Sequence, residues 1–520
     1  MLPHQSKSIS SVSAAMGRPI AMRASIVAGL IAGSLPSIAE AQALRDALVA
    51  AYRNNPALQS QRFRTRASDE SVARARSGYR PRVSGEAYAG VTAARRDRGG
   101  NGDGPTYGVG LSIEQPLFDG FQTHYAVAEA KSGVLASRNE LKAQENEILL
   151  QAASAYFDVL RDEGILLYRR KTLNALRREL IGARQRMTHG EATVTDVEQS
   201  RQRVALAESD LETATSRLEV SRLRFARIVG RAPDDLRMPD MPTRLLPKSR
   251  RRAVETALEE SPIVAAARYQ HEAARHAVDK VKGELLPSAA VVGGYDRSFG
   301  ARSTMRDEDD FSLVGRIRVP LYQGGEVSAR VRQARQTALS RDRDVIDQRN
   351  RIGEAVGAAW SELGAARRRL GLEEKAVSAA ERALGGLREE QRVGTRILTD
   401  VLDAERELVN ARIRVLETRR DLHVSAFALL RAMGTLTIKA FAPEVERYEP
   451  GEHYAKANGT WWGTSTPATR TDPLLGTGQA WAVETDSPAR PRRHEPGTAS
   501  RDRQAAATPA WQATIRPVSY

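Results

Sequence analysis

The 520-residue chain contains no cysteine, which removes disulfides, thiolate nucleophiles and Cys-ligated zinc together. Aromatic residues reach only 5%, too few for the core of an ordinary globular enzyme of this length. No run of about 20 apolar residues is present, so a bundle of membrane-spanning helices is excluded. Also missing are a phosphate-binding Walker loop, a G-x-S-x-G elbow and an H-E-x-x-H pair. The eight histidines are scattered, and His271 and His276, five apart, do not share a helix face as i,i+4 ligands would. They read as exposed polar positions. The sequence therefore implies no enzyme, no cofactor and no metal site.

Charge is what the chain has in quantity: 28% of its residues, in a background rich in Ala, Leu, Arg and Glu, which is the make-up of long helices. A formal net charge of +15 raises nucleic acid as a partner. The basic residues, however, are interleaved with acidic ones, as in Glu389-Glu390-Gln391-Arg392 and Arg406-Glu407. A nucleic-acid surface gathers its cations beside stacking aromatics, so this pattern reads as solvated helix faces and no nucleic-acid partner. Near the start, Arg18 and Arg23 precede a short apolar stretch, Ala24 to Leu35, which ends near Ala39-Glu40-Ala41. That order is an export signal over residues 1–41, with cleavage after Ala41.

The remainder repeats itself once. Asn55-Pro56 is echoed by Ser261-Pro262 and Pro81 by Pro287, each 206 residues on. Pro116-Leu117-Phe118 is echoed by Pro320-Leu321-Tyr322, 204 residues on. At that same offset Tyr156 meets Trp360, Gly190 meets Gly394, Asp196 meets Asp400 and Gly230 meets Gly434. The halves run from 42 to 241 and from 242 to 442, about a Pro- and Arg-rich joint at Met238 to Arg252.

Each half carries two periodicities. Helical spacing predicts helices over 44–79, 120–188 and 193–230, then 251–285, 324–392 and 397–433. The longest pair would reach about 100 Å at 1.5 Å per residue, with Gly164, Gly182 and Gly364 as candidate bends. Between them lie stretches of period two, at about 82–92 and 106–117, then 288–296 and 310–321. Tyr107, Val109, Leu111 and Ile113 alternate with Gly108, Gly110, Ser112 and Glu114; Phe311, Leu313 and Ile317 alternate with Ser312, Arg316 and Arg318. Strands of about ten residues with one apolar face suit a membrane barrel. Glu114, Arg316 and Arg318 then fall on its pore side. Four strands cannot close a barrel, and open edges cannot stand in hydrocarbon. Other copies of the chain must complete the ring, with a strand number that is a multiple of four.

These features resemble the TolC family of outer-membrane efflux and secretion channels. The likeness rests on the Asn-Pro opening, on the corners Pro-Leu-Phe-Asp-Gly and Pro-Leu-Tyr-Gln-Gly-Gly, and on Val393-Gly394-Thr395-Arg396 before Asp400-Val401-Leu402-Asp403-Ala404. It spans residues 42 to about 436. The resemblance implies a mainly α fold with a membrane β-barrel portion: a trimeric α/β tube. Four β-strands per chain would contribute to a shared twelve-stranded barrel, continued by long coiled periplasmic helices. It also implies a homotrimer in outer-membrane lipid that docks onto a periplasmic adaptor protein and an inner-membrane transporter.

One helix–turn–helix concentrates the electrostatics. Gly394 reads as the residue ending a helix, and the next begins near Thr399. Asp400 and Asp403 are three apart, hence on one face of its first turn. Spacing alone favours reading them as partners of the helix dipole. The resemblance implies instead an acidic ring at the periplasmic entrance, where crowded carboxylates attract cations. It also implies that Arg396 latches the entrance, with Thr195 and Asp196 as partners. Where the family places an aromatic hydroxyl in that latch this chain has Gln391, a departure implying a weaker or rearranged closure. Thr195-Asp196-Val197-Glu198 also reads as a capping box.

From Pro443 onward periodicity stops, and residues 443–520, with Trp461-Trp462, read as a disordered extension. Two functions remain at this stage. One is a passive outer-membrane exit duct of a tripartite efflux pump or type I secretion system. The other is a periplasmic coiled-coil adaptor without a channel, which would explain the signal and the helices.

Overall fold

The computed structural model of the protein describes residues 44–92, 104–300 and 307–465. The export signal expected over 1–41 lies outside the described residues. The first half contains α1 (Leu44–Asn54), α2 (Pro56–Arg76), β1 (Arg82–Thr92), β2 (Gly104–Phe118), α3 (Gln122–Thr188) and α4 (Val194–Val229). The second repeats that order: α5 (Arg250–Glu260), α6 (Pro262–Gly283), β3 (Ser288–Gly300), β4 (Glu308–Arg318), α7 (Glu326–Arg392) and α8 (Leu398–Met433). Two short helices follow, α9 (Ile438–Phe441) and α10 (Pro450–Gly459). The repeat is metrically close: α3 and α7 each have 67 residues, and α4 and α8 each have 36.

The sequence landmarks explain how each half turns. Asn55 caps α2, its Oδ1 accepting from the N–H groups of Ala57 (3.0 Å) and Leu58 (3.3 Å), with Pro56 in the first helical turn. Its Nδ2 donates to the Ile228 carbonyl at 2.9 Å, tying this start to the end of α4. Ser261 and Pro262 open α6 in the same way. Gly230 and Gly434 end α4 and α8 at φ 85° and 79°, in the left-handed region that a side chain disfavours. Each sits against the other helix joint of its half, Gly230 beside Asn54 and Gly434 beside Pro262. Gly164 marks a close approach: a Cβ there would come 2.7 Å from Leu416 of α8, and α3 is assigned as one unbroken helix through it.

The core lies at mid-length on the long helices. Tyr156, Phe157, Phe225 and Phe427 are fully buried in one cluster, and the Tyr156 hydroxyl donates to the Arg237 carbonyl at 2.5 Å. Trp360, its repeat counterpart, packs at the edge of a second cluster containing Ile352, Val356 and Leu429. His423 stacks on Phe157 at 4.6 Å, and burial, aided by the nearby Arg419 charge, lowers its pKa from 6.5 to about 4. The unfolded chain therefore takes up this proton first as pH falls. His423 contributes its full stability above about 6.5 and loses it progressively down to about 4. The thermal midpoint is expected to drop across that window, and His423→Phe, which keeps a stacked ring, is expected to flatten the drop. An unchanged pH profile in the variant would contradict this assignment.

The sheet is antiparallel in the order β1-β2-β3-β4. Its register places Val83, Ile113, Gly293 and Leu313 in one row and Ser84, Ser112, Gly294 and Ser312 in the next. One face is thus apolar and the other small or polar. The apolar face is solvent-exposed on this chain, Leu313 at 70% and Ile317 at 75%. β1 and β4 each pair on one side only among the described residues, leaving two open edges.

One expectation needs correction. Residues 443–465 are ordered, and α10 lies along α2. His453 is buried with its Nδ1 3.1 Å from Asp69 Oδ2, and Arg66 Nε donates to the Tyr448 hydroxyl at 3.1 Å. Burial pushes the Asp69 carboxyl up, while the His453 hydrogen bond draws it back. A ten-residue helix containing two glycines and no apolar stripe carries no periodic signal; tertiary contacts hold it. Residues 466–520 of the expected extension lie outside the described residues.

Candidate functional site: two turns at the helix tips

The two 67-residue helices each carry a turn about 100 Å from the sheet. Both turns close alike. Gly394, at φ 82°, donates to the Gln391 carbonyl (3.0 Å), and Thr395 N–H donates to that of Glu390 (2.9 Å). In the first half Gly190 donates to Met187 (3.1 Å) and Glu191 to Arg186 (2.9 Å). These are paired 5→2 and 6→1 closures with glycine in the left-handed position.

The helices that follow start differently. α4 is capped by Thr193, whose hydroxyl accepts from Asp196 N–H (3.2 Å) while the Asp196 carboxylate accepts from Thr193 N–H (2.8 Å). The capping box is therefore Thr193 with Asp196, not the one read from Thr195 to Glu198. Thr193 is the last extended residue, at φ −91° and ψ 163°, so its side chain is the one aimed at the free N–H groups. The two Thr193 hydrogen bonds, backbone first, hold the Asp196 carboxyl below its ordinary range. α8 begins after Ile397, which has no side-chain hydrogen bond to offer. A cap worth about 0.5–2 kcal/mol is thus present on α4 and absent from α8.

Asp400, the repeat counterpart of Asp196, is consequently free for another partner. Arg396 Nη1 lies 3.5 Å from it, and Arg396 Nε donates to Glu390 at 2.8 Å. Arg396 thus staples the last turn of α7 to the first turn of α8. Glu390 first, then Asp400, keep its guanidinium even more firmly protonated than usual. Within one chain its partners are Glu390 and Asp400, while Asp196 Oδ2 serves the α4 cap. Gln391 contributes its carbonyl to the Gly394 closure.

Asp403 pairs across the repeat with Arg203 of α4 at 3.1 Å, and the Thr399 hydroxyl donates to Gln199 Oε1 at 3.3 Å. The first turns of α4 and α8 therefore lie side by side. Val401 and Leu402 are buried between helices, whereas the Asp400 and Asp403 side chains are 37% and 55% exposed. The packing residues and the charged residues of this turn are separate sets. Sequence spacing alone did not reveal Arg203 and Glu390, because one acts across the repeat and the other across the turn.

At the other end of the long helices, Glu114, Arg316 and Arg318 share the polar face of the sheet and line one cavity of about 490 Å³ with Arg82. Lys280 of α6 and Glu284, just past its end, close it; each is engaged elsewhere, Lys280 with Glu129 at 2.6 Å and Glu284 with Arg330 at 2.5 Å.

Known proteins share this architecture. The chain is 35% identical over 429 residues to the outer membrane efflux protein BepC of Brucella suis biovar 1, covering 82% of this chain and 92% of that one. It is 27% identical over 415 residues to the outer membrane protein TolC of Vibrio cholerae, covering 78% and 93%. Among solved structures, the Campylobacter jejuni CmeC outer membrane channel superposes with a TM-score of 0.68 over 80% of this chain and 89% of that one, at 14% identity. The family model for outer membrane efflux proteins matches residues 47–231 and 253–435. Both halves of the repeat are matched, so the chain belongs to the outer membrane efflux protein family.

Proposed function

We propose that three copies of this outer-membrane channel protein close their sheets into one twelve-stranded barrel. The barrel continues as a helical tunnel into the periplasm. The carrying observation is the four-stranded sheet with an outward apolar face and two open edges, set on matched 67-residue helices. Edges left unpaired in hydrocarbon cost several kcal/mol per backbone group, and pairing β4 of each copy with β1 of the next removes them. A channel-less adaptor would have no use for such a sheet.

The duct conducts passively and works with a periplasmic adaptor and an inner-membrane transporter that meet the helix tips. Asp400 and Asp403 of three copies form the acidic entrance, and Arg396 holds the α7–α8 turn closed. That turn, uncapped at Ile397, is the one that moves, while the capped α3–α4 turn stays fixed. Glu114, Arg316 and Arg318 face the lumen where barrel meets tunnel. The test is heat modifiability: unheated outer-membrane extract runs as trimer on a denaturing gel, and boiling converts it to monomer. Monomer without boiling would refute the ring.

A further inference from the structure

The contact between β2 and β3 inside one chain is a template for the contact between copies. It joins the end of the first half's sheet to the start of the second's, as ring closure joins β4 of one copy to β1 of the next. Below the in-chain seam, the β2–α3 corner rests on the end of α6. A Cβ on Gly120 would come 2.2 Å from the Gly283 carbonyl and 3.0 Å from Leu286 Cβ. The repeat maps Gly120 onto Gly324 at 204 residues, and Gly283 and Leu286 onto Ser77 and Arg80 at 206. Gly120 and Gly324 share the same backbone, at φ 68° and 63°, yet a Cβ on Gly324 would meet nothing within 4 Å. Its counterpart surface, Ser77 to Arg80, belongs to the neighbouring copy.

Two differences between the seams fall at this corner. Phe118 packs edge-to-face on Phe121 at 5.2 Å, but its counterpart Tyr322 faces Gly325 in place of Phe121 and has lost that ring partner. Leu321 and Tyr322 are 92% and 87% exposed. Ser77 also carries a Cβ where Gly283 admits the Gly120 carbonyl to 2.4 Å from the Cβ position, so the seam between copies is the more open one.

The described part of the C-terminal segment reaches this spot. Its order of contacts is fixed: Tyr448 with Arg66, His453 with Asp69, then Thr460, whose carbonyl accepts from Arg80 Nη1 at 3.2 Å. The chain therefore runs beside α2 toward the sheet. Trp461 lies 4.5 Å from the Arg80 guanidinium, and Trp461 and Trp462 are 63% and 86% exposed.

We infer that Trp461 and Trp462 of one copy cover the Leu321–Tyr322 corner of the neighbour whose β4 pairs with that copy's β1, supplying the aromatic partner that Gly325 removed. The occupant of this surface is a second copy of the chain. The partner's corner reaches Arg80 by the same repeat geometry that brings Gly120 to Leu286. Adjacent exposed indoles meeting an exposed Leu-Tyr pair gain both apolar burial and ring contact. The segment thus acts as a clasp below the barrel seam. This inference rests on ring closure by copies, and its test separates the two.

The chain lacks cysteine, so paired cysteines report directly on the full-length protein in outer membranes. Trp462→Cys with Tyr322→Cys is treated with a short thiol cross-linker. In parallel, Ala87→Cys with Ile317→Cys, which the repeat places opposite one another across the strand seam, tests ring closure. Both double variants are expected to give dimer and trimer bands on boiled gels, and the single variants none of the trimer. Linking by the strand pair alone overturns the clasp and leaves the ring standing. Linking by neither overturns both. Quenching of Trp461 and Trp462 fluorescence by brominated phospholipid, with no Trp462–Tyr322 link, assigns the indoles to the membrane and also overturns the clasp.

Discussion

Replacing both Asp400 and Asp403 with Ala is expected to lower cation selectivity severalfold and to abolish block by trivalent cations, with trimers intact. Both side chains are partly exposed, and Val401 and Leu402 carry the packing of that turn. In the proposed trimer, two carboxylates per chain would place six around a three-fold axis, enough to concentrate cations at one constriction. The Arg203 and Arg396 guanidinia that now offset them would stay behind, so the entrance would change from acidic to basic. The reversal potential in a salt gradient reads this directly. A double variant with parental selectivity and block would reduce both residues to helix-dipole partners.

Arg396→Ser is expected to act in the opposite direction and to raise conductance severalfold. Arg396 bridges Glu390 on α7 and Asp400 on α8, and α8 has no side-chain cap to hold its start. Removing the bridge frees the turn and uncovers two carboxylates, so cation selectivity rises together with conductance. Both changes are larger in dilute salt, because the screening length grows from about 10 Å at 0.1 M to about 30 Å at 0.01 M. The capped turn gives the control. Thr193→Val removes a hydroxyl from the turn proposed to stay fixed and is expected to fray α4 while changing conductance little. Equal effects of the two variants would remove the distinction between a moving and a fixed turn.

The legible part of the fold was the part with period. The α3 and α7 ends fall within two residues of the expected bounds, since apolar spacing, glycine closures and proline corners all agree there. β3 continues to Gly300, past Asp296, where alternation breaks. Arg297 sits on the apolar face there, stacking on Phe299 at 5.2 Å, with Asp307 and Asp309 each 3.8 Å away. α10 was invisible because a buried His453–Asp69 contact between residues 384 apart holds it. The capping box was misplaced because two threonines, Thr193 and Thr195, each stand three residues before an acid. Only the backbone decides which is the last extended residue. Arg396 was pointed to by the family resemblance, not by spacing, and its partner Glu390 lies across a glycine closure that spacing does not resolve.

In the proposed trimer the chain forms a continuous water-filled duct whose narrowest point is the α7–α8 turn. Single-channel recording of full-length trimers in a planar bilayer tests this most directly. Discrete, long-lived conductance steps are expected that prefer cations and close when trivalent cations are added from the side facing the helix tips. The same addition from the barrel side should block less. Absence of steps from protein that runs as a trimer, or block equal from both sides, would contradict it.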